Sequence, residues 1–203
     1  MSVDLTLFLS TFLTLFVIMD PPGLLPVFLA LTGTMTTRQR RKAAIQATLT
    51  SFGVILTFLV FGQLILDFLH ISLPALQMSG GLLLLLMAME LLTGRASDPK
   101  PGGAVNVALV PLGTPLIAGP GAIVAVMLAA RTAGSSPADW AAVIVAVLAM
   151  HVVLWLTMRY SIVLFRVLGE GGISLLTRIA GLLLAAIAVQ LMADAVFAFL
   201  DAR

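Results

Sequence analysis

Cysteine is absent from this chain of 203 residues, and charged residues are scarce. Without cysteine there is no disulfide framework, no thiolate metal site and no cysteine nucleophile. Only two histidines are present, which argues against a histidine-built metal site. Lys, Arg, Asp and Glu make up 10% of the residues, whereas soluble domains carry about 25%. We expect no metal and no cofactor.

Apolar residues dominate what is present, at 61% of the chain with a mean hydropathy of +1.15. A soluble fold of this size has too much surface for its volume to bury so many apolar side chains. Disordered chains have the opposite composition, with few apolar residues and a high net charge. The composition therefore predicts an integral membrane protein.

Six stretches are long and apolar enough to span a bilayer, which takes about 20 residues in a helix. We predict an all-α polytopic membrane protein, a single membrane domain over residues 1–203 with six transmembrane helices. The predicted spans are residues 5–31, 43–69, 74–93, 105–131, 138–160 and 174–198.

The basic residues predict how the protein is oriented. Nine of the 11 Lys and Arg residues lie in or beside the loops on one side of the predicted bundle, and Arg131 and Arg203 lie on the other. Cytoplasmic loops carry the excess of basic residues in membrane proteins. We therefore expect both termini to face away from the cytoplasm. The net charge of +2 is then an orientation signal, and no nucleic acid is expected as a partner.

The two halves of the chain resemble each other. Residues 76–92 and 176–192 share seven identities in 17 positions, and the polar residues Glu90 and Gln190 coincide. Repeat one would cover about residues 1–94 and repeat two about 105–203, joined by a loop at about 95–104. Because each repeat holds three helices, the second must enter the membrane from the opposite side. This inverted repeat is common among secondary transporters.

Helices one and four of the prediction are each interrupted about halfway by proline and glycine, within residues 20–26 and 111–121. Proline lacks an amide hydrogen and clashes with the preceding turn, so both helices should break. Non-helical backbone at that depth must be buried in protein or line a wet cavity. We expect the breaks to meet and bind substrate. The predicted substrate-binding residues are Asp20, Pro21, Pro22, Gly23, Pro26, Thr114, Pro115, Gly119, Pro120 and Gly121.

Each half-helix that begins at a break is expected to present unpaired amides and a positive dipole end, which favour a carboxylate. Asp20 would accept an ammonium group or carry a coupling proton or sodium ion. The alternatives are that the prolines only kink the helices for packing, and that Asp20 only caps a helix. His151, deep in the fifth span, is interpreted as a neutral histidine bonded to a backbone carbonyl, with a proton relay as the alternative.

These features together predict a secondary transporter that moves a small zwitterion by alternating access. The chain has no phosphate-binding loop for ATP and no paired catalytic groups, so no enzymatic activity is expected. Two alternatives remain open: an uncoupled channel or facilitator, and a membrane scaffold that transports nothing.

The segments 20–28 and 115–123, with Ile71–Leu76, Gly80-Gly81 and Glu90, resemble the MarC family of bacterial and archaeal inner-membrane proteins. The resemblance covers essentially the whole chain. It implies six helices in two inverted repeats, the inner (cytoplasmic) membrane and a relation to amino-acid exporters, one archaeal relative being a transporter of small neutral amino acids. The family often has Ser-Thr after the second motif, where Val124 and Ala125 stand here.

Overall fold

The computed structural model describes residues 4–93 and 118–201, which fold into α-helices joined by short connections. The helices, in chain order, are α1 (Leu5–Met19), α2 (Pro21–Thr32), α3 (Thr37–Leu69), α4 (Leu73–Thr93), α5 (Pro120–Ala133), α6 (Pro137–Arg159) and α7 (Ser161–Asp201).

Most of these helices are long and apolar enough to cross a membrane. Within the described residues, α3, α4, α6 and α7 each qualify alone, and α1 with α2 forms a further apolar segment of 28 residues. The shorter apolar helix α5 covers the second half of the fourth predicted span. The first half of that span, residues 105–117, lies outside the described residues. The all-helical, polytopic prediction is therefore confirmed at this level.

Two predicted spans begin earlier in the structure than the sequence suggested. Helix α3 begins at Thr37 and not at residue 43, because Thr36 and Gln39 form a capping box that starts the helix among the basic residues. Helix α7 begins at Ser161 and not at residue 174. The polar stretch that predicted a loop is helical on both sides of Gly169, whose non-helical φ of 63° and ψ of 173° divide α7 into two helical segments at a kink.

The main packing partner of α4 is α7. A Cβ atom at Gly81 would lie 2.9 Å from the Ala188 carbonyl oxygen, and one at Gly181 would lie 3.3 Å from the Ala88 carbonyl oxygen. The absence of both side chains lets the two backbones approach closely, as small residues do in membrane helices. Residues 81–90 and 181–190 also follow the same sequence of buried and exposed positions.

The remaining contacts build a core around α1, α5 and α6. Helix α1 packs against α6 and α5, and α3 packs against α5 and α6 although the turn at His70 leads directly into α4. Large apolar side chains such as Phe68 and Val167 remain more than three-quarters exposed on the outer surface. Contiguous exposed apolar surface of this kind is typical of a face that contacts lipid.

Candidate functional site

Asp20 separates α1 from α2, about halfway along the first apolar segment. Its backbone adopts a left-handed conformation with φ 38° and ψ 69°, uncommon for a residue other than glycine. Its side chain is buried, with 8% exposed. Oδ1 accepts a 3.2 Å hydrogen bond from the Gly23 amide, whereas Oδ2 has no partner among the described residues. One oxygen of the carboxylate therefore caps α2, and the other is available for a ligand.

The residues after Asp20 leave no free amide at the start of α2. Pro21 and Pro22 have no amide hydrogen and occupy the first helical positions, where none is needed. The Gly23 amide donates to the Asp20 side chain, and the Leu24 amide donates to the Asp20 carbonyl oxygen. The expectation that the half-helix near Leu24 presents unpaired amides is therefore wrong, because proline chemistry and the Asp20 cap remove all of them.

Gly23 makes the cap possible by lacking a side chain. A Cβ atom at this position would collide with the carboxylate of Asp20. Pro26 lies one turn further along α2 and is exposed. It lines a cavity of about 320 Å³ between α2, α4 and α7, together with Leu91 and Ser174. The structure therefore places Pro26 away from the immediate surroundings of Asp20.

The start of α5 differs from the start of α2. Gly119 is the N-cap residue and has no side chain to bond the helix amides, and Pro120 has no amide hydrogen to satisfy. The Ile123 amide donates to the Gly119 carbonyl oxygen. Within the described residues, the amides of Gly121 and Ala122 have no acceptor. These two donors, unpaired within the described part of the chain, lie at the positive end of the α5 helix dipole. Thr114 and Pro115 lie outside the described residues.

A mostly apolar groove of about 240 Å³ that also carries hydroxyl groups lies between α1, α5 and α7. Hydroxyl groups on α1 and α5 line it, and Ile187 and Leu191 of α7 close its apolar side. Its hydroxyl-bearing residues are Ser10, Thr11, Thr14 and Thr132. The sequence prediction missed them, although Ser10, Thr11 and Thr14 fall on one helix face and that spacing was visible.

The groove leads towards the two helix ends. Ile18 of α1 and Ala125 of α5 both line it. Asp20 lies about 3 Å along the helix axis from Ile18, and Gly121 about 6 Å from Ala125, at 1.5 Å per residue. The groove is therefore lined by residues that lie close in the chain to Asp20 and to the start of α5.

Val124 and Ala125 stand where the MarC family often has Ser-Thr, and the two side chains have different surroundings. Ala125 lines the groove, so its methyl group stands where a hydroxyl would face the cavity. Val124 is buried and packs against α4, where a Cβ atom at Gly80 would collide with it. Gly121 faces the buried Leu84 of α4 in the same way. These contacts fix the position of the α5 start.

His151 lies apart from the groove and joins α6 to α3. Its Nδ1 lies 2.8 Å from the Val147 carbonyl oxygen, and its Nε2 lies 3.2 Å from the Ser51 hydroxyl. A carbonyl oxygen only accepts, so Nδ1 carries the hydrogen, and in the neutral ring Nε2 accepts from Ser51. The ring also meets Phe52 edge to face at 5.2 Å. The predicted bond to a backbone carbonyl is confirmed.

Comparison with known proteins places the chain among membrane proteins along its whole length. Residues 5–200 match the family model described as MarC family integral membrane protein. The chain is 35% identical over 201 residues to the UPF0056 membrane protein MJ1677 of Methanocaldococcus jannaschii. The aligned region covers 96% of this chain and 98% of that protein. The chain is also 36% identical over 197 residues to a UPF0056 membrane protein of Aquifex aeolicus, covering 93% of this chain and 91% of that protein. No solved structure matches.

Proposed function

We propose, from the premise that the chain belongs to the MarC family of integral membrane proteins, that it is a secondary transporter of a small neutral amino acid or similar zwitterion. The observation that carries the proposal is the buried Asp20 carboxylate at a helix break, with one oxygen left without a partner among the described residues. A carboxylate within a membrane span costs about 2.5–3.5 kcal/mol on insertion scales, so one that persists there has a partner or a role.

The two helix starts offer complementary chemistry for the two ends of a zwitterion. The amides of Gly121 and Ala122 are donors and would bind the substrate carboxylate, as helix N-termini bind anions. Oδ2 of Asp20 is an acceptor and would bind the ammonium group or a coupling proton or sodium ion. Only the start of α5 offers amide donors to an anion, because the amides at the start of α2 are either absent, at the two prolines, or already bonded to Asp20. This asymmetry favours a zwitterion over a dianion.

The groove supports a small substrate that approaches from the end of the molecule where α1 begins. Its volume of about 240 Å³ lies below the roughly 300–1,000 Å³ of pockets for drug-sized ligands. The cavity that Pro26 lines lies on the α2 half of the same span. Alternating access requires that the site open to each side of the membrane in turn, and we assign one of these two cavities to each direction of access.

We also propose that α4 and α7 are equivalent helices of an inverted repeat. The reciprocal contacts of Gly81 with Ala188 and of Gly181 with Ala88 support it, because a two-fold axis exchanges the members of each pair at an offset of 100 residues. The same order of buried and exposed positions over 81–90 and 181–190 supports it independently. In this arrangement the axis lies in the membrane plane, and α1 with α2 corresponds to the segment that ends in α5.

Counterflow in proteoliposomes tests the transport proposal. Vesicles with the purified protein are preloaded with one unlabelled amino acid at a time, and labelled alanine is added outside. A carrier exchanges the two and transiently accumulates label with some preloads and not with others. Label that only equilibrates indicates a facilitator. No protein-dependent entry with any preload, from protein shown to be folded, contradicts the proposal and favours a scaffold.

A further inference from the structure

A third cavity, of about 230 Å³, lies where the start of α3 meets the junction between α6 and α7. Its described lining contains three arginines, Arg40, Arg41 and Arg159, and no carboxylate. Ser161, Ile162 and Val163, the first residues of α7, complete the wall. A cavity with three cationic side chains and no acidic residue has a strongly positive potential, which attracts anions.

Two side chains in this cavity carry polar atoms without a partner. Ser161 is 1% exposed, and its Oγ bonds nothing among the described residues. Arg40 donates from Nη2 to the Thr32 carbonyl oxygen at 3.1 Å, at the end of α2, while its buried Nε has no partner in the described part of the chain. A buried donor without an acceptor is costly in a folded protein, so such atoms point to a ligand at the wall.

The backbone adds donors at the same place. The Leu164 amide donates to the Tyr160 carbonyl oxygen, which forms the first turn of α7. The amides of Ser161, Ile162 and Val163 precede that bond and have no helical acceptor. They belong to residues of the cavity wall. The helix start, the unpartnered hydroxyl and the guanidinium groups are independent features that all favour a tetrahedral oxyanion.

We propose that this cavity binds a phosphate group, either the headgroup phosphate of an anionic phospholipid or free inorganic phosphate. Arginine forms paired hydrogen bonds with phosphate oxygens, and the Ser161 hydroxyl and α7 amides donate to the others. Tyr160, Ile162 and Val163 are each about half exposed beside the cavity. An acyl chain would cover them if the phosphate belongs to a lipid. The site is separate from the proposed substrate groove and would tie the start of α3 to the α6–α7 junction.

Tryptophan quenching tests the lipid source. Trp155 lies four residues before Arg159 on α6, hence on the same helix face. Phosphatidylglycerol with brominated acyl chains should quench the tryptophan fluorescence of the purified protein at a several-fold lower concentration than brominated phosphatidylcholine does. Ser161→Ala and Arg159→Gln should lose most of that preference, whereas Arg38→Gln, which removes the same charge outside the cavity, should keep it.

Thermal unfolding tests the free-phosphate source with the same variants in detergent. If inorganic phosphate, compared with chloride at equal ionic strength, raises the unfolding temperature of the wild type but not of Ser161→Ala, the site takes free phosphate. Ser161→Ala removes only an unpartnered hydroxyl, so it folds even if Arg159→Gln does not. The proposal is overturned if neither probe discriminates, or if Arg38→Gln loses as much as the cavity variants.

Discussion

Asp20 caps α2 through Oδ1, and Oδ2, which is unpartnered within the described residues, is the oxygen to which we assign the proposed task of binding. The sequence indicated the position because a carboxylate followed by two prolines in an apolar segment is conspicuous. It gave no way to choose between capping and binding, which depends on where each oxygen points. The sequence also could not show that the start of α5, and not the start of α2, has amides without an acceptor among the described residues. The two starts differ because Asp20 accepts hydrogen bonds from the amides of α2, whereas the N-cap residue of α5, Gly119, has no side chain to accept them.

Replacing Asp20 with asparagine separates its two tasks. Asparagine caps helices about as well as aspartate, so Asp20→Asn should fold and insert normally. It removes the charge, so transport should be lost or should no longer respond to a proton or sodium gradient. Uptake into proteoliposomes at two pH values measures the effect. Asp4→Asn is the matched control, because Asp4 caps α1 through the Thr6 and Leu7 amides at an exposed position. Full, still pH-sensitive transport by Asp20→Asn would remove Asp20 from the mechanism.

A carboxylate introduced at the start of α5 should compete with the substrate. Gly119 has φ −66° and ψ 166°, a backbone conformation open to any residue. In Gly119→Asp the new side chain would accept from the Gly121 and Ala122 amides and so reduce substrate affinity tenfold or more. Gly119→Ala adds the same Cβ atom without the carboxylate and serves as the control. Equal substrate affinity in the two variants, measured by competition in the counterflow assay, would exclude the α5 amides from binding.

At the scale of helices, the close approach of α4 and α7 holds the two halves of the protein together. The sequence predicted the correspondence of residues 76–92 with 176–192, but the contacts between the two segments required the structure. The early start of α7 was missed for a physical reason. Arg166, Glu170 and the neighbouring glycines have the composition of a loop, and only the structure shows that this stretch is helical on both sides of a kink at Gly169.

Valine at either glycine of this contact should destabilise the protein to a similar degree. A side chain at Gly81 or Gly181 would push the α4 and α7 backbones apart, and overpacking of this kind costs about 1–3 kcal/mol. Thermal unfolding in detergent measures each variant. Gly53→Ala is the control, because a Cβ atom there meets nothing within 4 Å and alanine favours the helix. Gly81→Val and Gly181→Val that unfold at the wild-type temperature would contradict the proposed packing.

For the whole molecule, composition alone was enough to predict a multi-pass membrane protein, because no soluble fold could bury the apolar surface. Orientation rests on the basic residues, and the cysteine-free chain makes it simple to test. Thr34, after α2, and Ser135, before α6, are both exposed. Single cysteines at these positions should differ in how they are labelled in intact cells. An impermeant maleimide should label Ser135→Cys directly and Thr34→Cys only after permeabilisation. The reverse pattern would place both termini in the cytoplasm.

Accumulation of labelled alanine against its concentration gradient tests the central claim most directly. Proteoliposomes containing the wild-type protein are given an imposed proton gradient or sodium gradient, and the internal label is followed with time. A secondary transporter raises the internal concentration above the external one with one of the two gradients and loses the gain when an ionophore collapses it. Entry that stops at equal concentrations under both gradients would contradict coupled transport.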